Sequence, residues 1–253
     1  DDKGWFENLY DGSNYGESKT TIFRPVVSWH PDEDVTLLLR WEHTESDSDG
    51  PASQNHTNGS GRPGFWVNYE RDSFDFSVDA PGFLDFEMDF VTAQLDWDVD
   101  FGNGTITNIF GWREYFHDSY GDIDAQPVWL FHASSINDQE QFSNELRYNG
   151  IFGQANVTAG VFWFDNEINY SENRELLGIA TGGVAPALTQ NGGGILAVES
   201  LAAFFSMDYM LNDAWSLNVG MRYTTEDKDA QIATLTRNLK PLMAQLDRLD
   251  RFS

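Results

Sequence analysis

Along residues 91–101 apolar and polar side chains alternate without a break. Val91, Ala93, Leu95, Trp97, Val99 and Phe101 fall on one side; Thr92, Gln94, Asp96, Asp98 and Asp100 fall on the other. Side chains of an extended chain change faces at every residue, so this is a strand with one apolar face. The glycine-rich turn Gly102–Gly104 follows, and residues 105–117 return with Ile106, Phe110, Trp112 and Phe116 on the apolar face. Residues 138–170 repeat the arrangement. Phe142, Leu146 and Tyr148 oppose Gln141, Ser143, Glu145 and Arg147; after a short link at 151–155 containing Gly153, Val157, Ala159, Val161 and Trp163 oppose Asn156, Thr158 and Gly160. A short glycine-containing link between alternating runs predicts a tight hairpin.

The same grammar marks residues 20–30 and 35–44, around the polar turn 31–34, and residues 201–211 and 215–224, around 212–214. Pro25 removes a ladder donor from the first of these strands. Four hairpins result, with short turns at 31–34, 102–104, 151–155 and 212–214. Long polar segments at 45–89, 118–137 and 171–196 join them at the other end. After the last hairpin the period changes: Leu235, Leu239, Leu242, Leu246 and Leu249 predict an amphipathic helix within residues 232–252, interrupted or started by Pro241.

Long strands, short turns on one rim and long loops on the other are the pattern of an outer-membrane barrel. Trp29, Phe101, Phe152 and Trp215 stand beside the short turns, where an inner aromatic girdle belongs. The predicted fold is all-β: an antiparallel transmembrane β-barrel segment of about eight long strands with long extracellular loops.

Composition agrees with this. Aromatic residues make up 15% of the 253, with nine Trp, nine Tyr and nineteen Phe, which is high for a water-soluble domain. No run approaches the roughly twenty apolar residues of a spanning helix; barrel strands dilute their apolar signal over alternate positions. The chain carries 41 acidic and 15 basic residues, a net charge of −26. That excludes nucleic acid as a partner, which requires a basic surface. There is no cysteine, so disulfides, thiolate metal sites and thiol catalysis are excluded. The chain opens at Asp1 with DDKGWFENLY; no signal peptide is read there, and the start is expected to be processed or internal to a precursor.

Candidate chemistry is sparse. The acidic residues form no catalytic pair, and no nucleotide-binding glycine motif is present, so no enzyme activity and no cofactor are expected. His30, His43, His56, His117 and His132 show no metal-ligand spacing and read as ordinary surface or lumen residues. The acidic run containing Asp47 and Asp49 resembles a calcium loop but lacks its later Glu, leaving these two as weak calcium candidates. Arg113, Arg147 and Arg222 lie on the polar faces of their strands. The loop aromatics Trp66, Tyr69, Trp129 and Phe131 are the candidates for ligand capture, because aromatics in outer loops build binding surfaces.

Two segments carry a family resemblance. QFSNELRYNG with VTAGVFWFDNEINY, and LAAFFSMDYMLNDAWSLNVGMRYTTEDKD, resemble barrel strands of TonB-dependent outer-membrane receptors. The matching positions are Phe142, Ser143, Glu145, Leu146 and Arg147, then Ala159–Phe164, Ala202–Phe204, Gly220–Tyr223 and Glu226–Asp229. The resemblance implies a barrel of about 22 strands plugged by an N-terminal domain. It further implies residence in the outer membrane of a Gram-negative bacterium, in contact with the lipid bilayer and lipopolysaccharide. Energy would come from the TonB complex, through a plug, and the cargo would be a scarce small molecule such as a ferric siderophore. No plug, TonB box or closing strand is read in residues 1–253, so one part of a single receptor barrel domain is expected. A passive porin and a self-assembling adhesive β-protein are the alternatives.

Overall fold

The structure is a computed structural model that describes residues 2–56 and 67–238. Ten antiparallel strands form one sheet: β1 (Asp2–Glu7), β2 (Asn14–Phe23), β3 (Val26–Trp29), β4 (Val35–Ser48), β5 (Phe83–Val99), β6 (Gly104–Asp122), β7 (Phe131–Phe152), β8 (Ala155–Leu176), β9 (Leu188–Asn212) and β10 (Trp215–Asn238). Each pairs with its neighbours in chain order, except that β2 and β3 both pair with β4. These two are one strand interrupted by Pro25. Phe23 faces His43 and Val26 faces Arg40 in unbroken register, so the proline removes a ladder donor without shifting the pairing.

The strands run further than the alternation alone suggested. β7 and β8 have 22 residues each and β9 has 25, whereas crossing a bilayer takes about 9–11. Residues expected in loops continue the ladder: β4 extends to Ser48, β5 begins at Phe83, β6 reaches Asp122, and β9 begins at Leu188. The connections are therefore 49–82, 123–130 and 177–187, shorter than 45–89, 118–137 and 171–196. Polar, glycine-containing sequence conceals these extensions, because above the membrane both faces of a strand meet water and the alternation is lost. For the same reason the helix expected from residue 232 is corrected over its first turns. Ile232–Asn238 pair residue by residue with Gly194–Leu188 in β9, where ladder bonds outweigh a leucine spacing of period 3.6. The remainder of that expected helix lies outside the described residues.

The short turns fall at 30–34, 100–103, 153–154 and 213–214. Gly153 adopts φ +65° in the two-residue turn after Phe152, a conformation that strains any residue with a Cβ.

Alternation and register together align one apolar face. Leu37, Leu95, Asn108, Leu146, Val161 and Ala203 lie on neighbouring strands in or near facing register and share a side of the sheet. Many of the large side chains of this face are open, among them Leu95 at 40% and Leu201 at 57% exposure. Among the described residues no second layer covers them. Among the described residues the buried apolar side chains are few, and their one cluster, Tyr15, Phe76 and Val78, lies where residues 67–82 fold against β2. A water-soluble chain of this length would bury a core; here lipid is the solvent for the apolar face. From Phe142 to Phe152, ten residues of rise make about 33 Å along the strand. At a tilt of about 40° that is about 25 Å of height, the apolar band of an outer-membrane barrel.

The upper limit of the band is marked by tryptophans. Trp41 donates its indole N–H to Asp89 at 2.7 Å, Trp112 to Glu140 at 3.2 Å and Trp163 to Glu199 at 3.4 Å, each acid lying on the neighbouring strand. The ring stays in the apolar band while its polar edge meets a carboxylate outside it, as suits the membrane interface. Within the band Asn108 and Asn144 depart from this: the Asn108 amide donates to Asn144 at 3.0 Å and to the Glu145 carbonyl at 3.1 Å, and accepts from Asn144 at 3.4 Å. Each side chain satisfies the other in place of water.

The opposite face is a polar ladder. Thr107 and Gln94 both donate to Asp96 at 2.7 Å, and Asn149 donates to Thr158 at 2.6 Å. Arg147 pairs with Glu145 at 3.3 Å, and Arg113 donates to Gln141 at 2.9 Å. The Arg222 guanidinium stands over the rings of Phe162 and Phe204, 5.5 and 5.8 Å from their centroids. Among the described residues β1 and β10 are the open edges of the sheet.

Candidate functional site at the loop rim

The loop-side ends of β6 and β7 converge with the connection 49–82. Three elements contribute. The β6–β7 ladder ends with Asp122 facing His132, which puts a carboxylate and an imidazole side by side although ten residues separate them in sequence. The connection 49–82 brings in Asp79. It is held by Asn8, whose amide donates to the Val78 carbonyl at 2.9 Å and accepts from the Val78 N–H at 3.1 Å. It is also held by the fully buried Gln126, which accepts from the Val67 N–H at 2.6 Å and donates to the Val67 carbonyl at 3.0 Å.

Asp122 and His132 are buried, at 2% and 4% exposure. The Asp122 carboxylate accepts from the backbone N–H groups of Asp124 and Ala125, both at 2.9 Å, and of Asp79 at 3.1 Å. His132 Nε2 lies 2.7 Å from Asp79 Oδ1, and Nδ1 lies 3.0 Å from the Tyr120 hydroxyl. Asp124 accepts from the Phe131 N–H through Oδ2 at 2.6 Å, while its buried Oδ1 has no partner. Trp129 stacks on His132 with ring centroids 5.0 Å apart and planes 8° from parallel.

The electrostatics are those of crowded acids. Burial, then the charge of Asp124, pushes the Asp122 carboxyl up to about 7, against the backbone hydrogen bonds that favour its anion. Burial likewise pushes Asp124 up to about 6. For His132, burial opposes the charged ring, but the hydrogen bond it donates to Asp79 and the charges of the three surrounding acids prevail and its pKa is raised. A cavity of about 690 Å³ opens over this group, lined by Asp79, Tyr120, Trp129 and His132 together with Tyr10 and Ile179.

The residues expected to bind ligand are dispersed around this rim. Trp129 lies against the cavity, wedged between His132 and Gly178, where a Cβ would stand 2.3 Å from the indole. Phe131 is the first residue of β7, half-buried, with its carbonyl accepting from Ile123 at 2.9 Å. Tyr69 is half-buried in the connection 49–82, its hydroxyl 2.5 Å from that of Ser77. Trp66 lies outside the described residues. Asp47 is exposed on β4 opposite Lys19, and Asp49 accepts from the Glu17 N–H at 2.8 Å. The groups of His, Asp and Glu close enough to share an ion, among the described residues, are Asp79 with Asp122 and His132, and His43 with Glu87 and Asp89. Sequence reading took His132 for an ordinary surface or lumen residue and did not single out Asp79, Asp122 or Asp124. Their juxtaposition comes from strand register and a long-range loop contact, which leave no spacing motif.

No family sequence profile and no curated protein matches the chain by sequence. Its structure is similar to the ferric yersiniabactin uptake receptor FyuA from Yersinia pestis at 14% identity, with a TM-score of 0.65 over 93% of this chain and 37% of that one. The chain has the fold of part of an outer-membrane β-barrel wall. The siderophore receptor PiuA from Acinetobacter baumannii is similar at 13% identity and TM-score 0.56, over 88% of this chain and 40% of its own. The ferric citrate transporter FecA in its unliganded form is similar at 12% identity and TM-score 0.58, over 91% and 34%. The chain thus spans 34–40% of the length of these receptors, and the open edges at β1 and β10 fit such a partial wall.

Proposed function

We propose that the chain is a stretch of the barrel of a TonB-dependent outer-membrane receptor that imports a ferric siderophore or related iron complex. The observation that carries the reading is the two-faced single-layer sheet: a tryptophan-bounded apolar band outside, a polar ladder inside, and long connections on one rim alone. The similarity to iron-complex receptors over about nine-tenths of the chain supports it. In this reading residues 1–253 belong to one barrel domain, set in lipid and lipopolysaccharide in the outer membrane of a Gram-negative bacterium. Its work is capture and passage, with no covalent chemistry. Trp66, Tyr69, Trp129 and Phe131 meet the ligand from the outer loops. The polar ladder faces a plug that the TonB complex rearranges from the periplasm.

The test is uptake. A strain lacking the protein, grown under iron limitation on a panel of single ferric siderophores, loses growth on at least one of them and regains it on complementation. Uptake of that complex stops when a protonophore collapses the proton gradient. Unchanged growth on every iron complex overturns the reading, and uptake that persists without the gradient makes the protein a passive porin.

A further inference from the structure

We propose that Asp79, Asp122 and His132 form a binding site for a divalent first-row transition-metal ion that ties the connection 49–82 to the ends of β6 and β7. The ligand atoms of the three residues lie within 4.8 Å of one another and come from three separate segments. Two of the three residues are at least nineteen-twentieths buried, Asp122 at 2% and His132 at 4% exposure. The balance of charge calls for a cation. Three carboxylates, counting Asp124, crowd one imidazole, which pairs with Asp79 at 2.7 Å, and among the described residues no Lys or Arg forms an ion pair with any of them. One imidazole does not offset three carboxylates, and buried charges are found paired or on metals.

Two further observations point to a ligand. The Asp124 Oδ1 atom is buried with no partner beside the cluster, an acceptor the protein itself leaves unused. His132 is already oriented: with an ion on Nε2, Nδ1 carries the proton and donates it to the Tyr120 hydroxyl 3.0 Å away, the outer hydrogen bond that fixes metal-binding imidazoles. Asp122 keeps lone-pair capacity after its three backbone contacts, because a carboxylate accepts about four. The cavity above Asp79 and His132 gives an ion and its waters a way in. The donor set decides the class. Calcium takes oxygen ligands alone, whereas imidazole with carboxylates suits zinc, manganese or iron. The site rests on loop-rim geometry and is independent of what the barrel transports.

The experiment uses the intact protein purified in detergent, stripped with chelator and titrated calorimetrically with Zn²⁺ and, separately, with Ca²⁺. One equivalent of Zn²⁺ binds per chain at this site and Ca²⁺ binds more weakly. His132→Ala and Asp122→Asn each weaken Zn²⁺ binding by at least about tenfold, while His43→Ala, at the other His–acid cluster, leaves it unchanged. Should either variant fail to fold, limited proteolysis of the wild-type protein decides: Zn²⁺ slows cleavage within residues 67–82. Absence of saturable Zn²⁺ binding overturns the proposal, as do folded variants that bind normally, tighter binding of Ca²⁺, or cleavage that Zn²⁺ does not slow.

Discussion

At the scale of single residues, the two faces of the sheet impose opposite rules on polar side chains. Asn108 and Asn144 stand on the apolar face yet each has a partner in the other. Removing Asn108 strands the Asn144 amide against lipid, a loss of about 1–3 kcal/mol, whereas without Asn144 the Asn108 N–H still donates to the Glu145 carbonyl at 3.1 Å; removing both leaves no polar side chain to satisfy. Asn108→Leu is therefore expected to destabilise the barrel by that amount and Asn144→Leu by less, and the double variant to recover most of the Asn108→Leu loss. Urea unfolding in lipid vesicles measures the cycle, and strictly additive losses would refute the pairing. The register of β5 to β8 places both asparagines on the apolar face, and their mutual hydrogen bonds show why they are tolerated there.

At the scale of the element, strand polarity decides where a charge can be placed. Leu146 lies near mid-height of the apolar face and Thr36 lies on the ladder face opposite Asp96. Arg at mid-membrane on a lipid-facing position costs about 2–4 kcal/mol, whereas a water-facing substitution beside an acid changes stability by about 0.5 kcal/mol or less. Leu146→Arg is expected to lower unfolding stability in vesicles by the larger amount and Thr36→Arg by the smaller. Equal effects would mean that the sheet has no lipid face. The same depth dependence places Asp89, Glu140 and Glu199 outside the tryptophan ring, where a carboxylate keeps its water.

At the scale of the whole molecule, a sheet one layer thick derives its stability from its surroundings. The strands outrun the bilayer on the loop side, and there the connection 49–82 packs on β2 through Tyr15, Phe76 and Val78. In vesicles containing lipids brominated along their acyl chains, the fluorescence of Trp41, Trp97, Trp112 and Trp163 is expected to be quenched, and that of Trp129 spared. Comparing single Trp→Phe variants separates them. Quenching of Trp129 to the same extent as Trp163 would place the loop rim inside the membrane and refute the assigned height.

The sequence by itself determined the strands that cross the lipid. There the solvent differs on the two sides, so every second residue must be apolar, and the period of two is written into Val91–Phe101 and Val157–Trp163. It also determined the four short turns, whose tight geometry demands residues such as Gly102 and Gly153. Above the membrane water bathes both faces, the alternation lapses, and strands such as the start of β9 became legible only through their ladder partners. The loop-rim site belongs to that second class. Asp122 meets His132 through register and Asp79 through a contact 43 residues away from Asp122 in sequence. Tertiary structure alone decided it, because proximity across a ladder and a folded loop depends on pairing, and pairing leaves no local pattern in the chain.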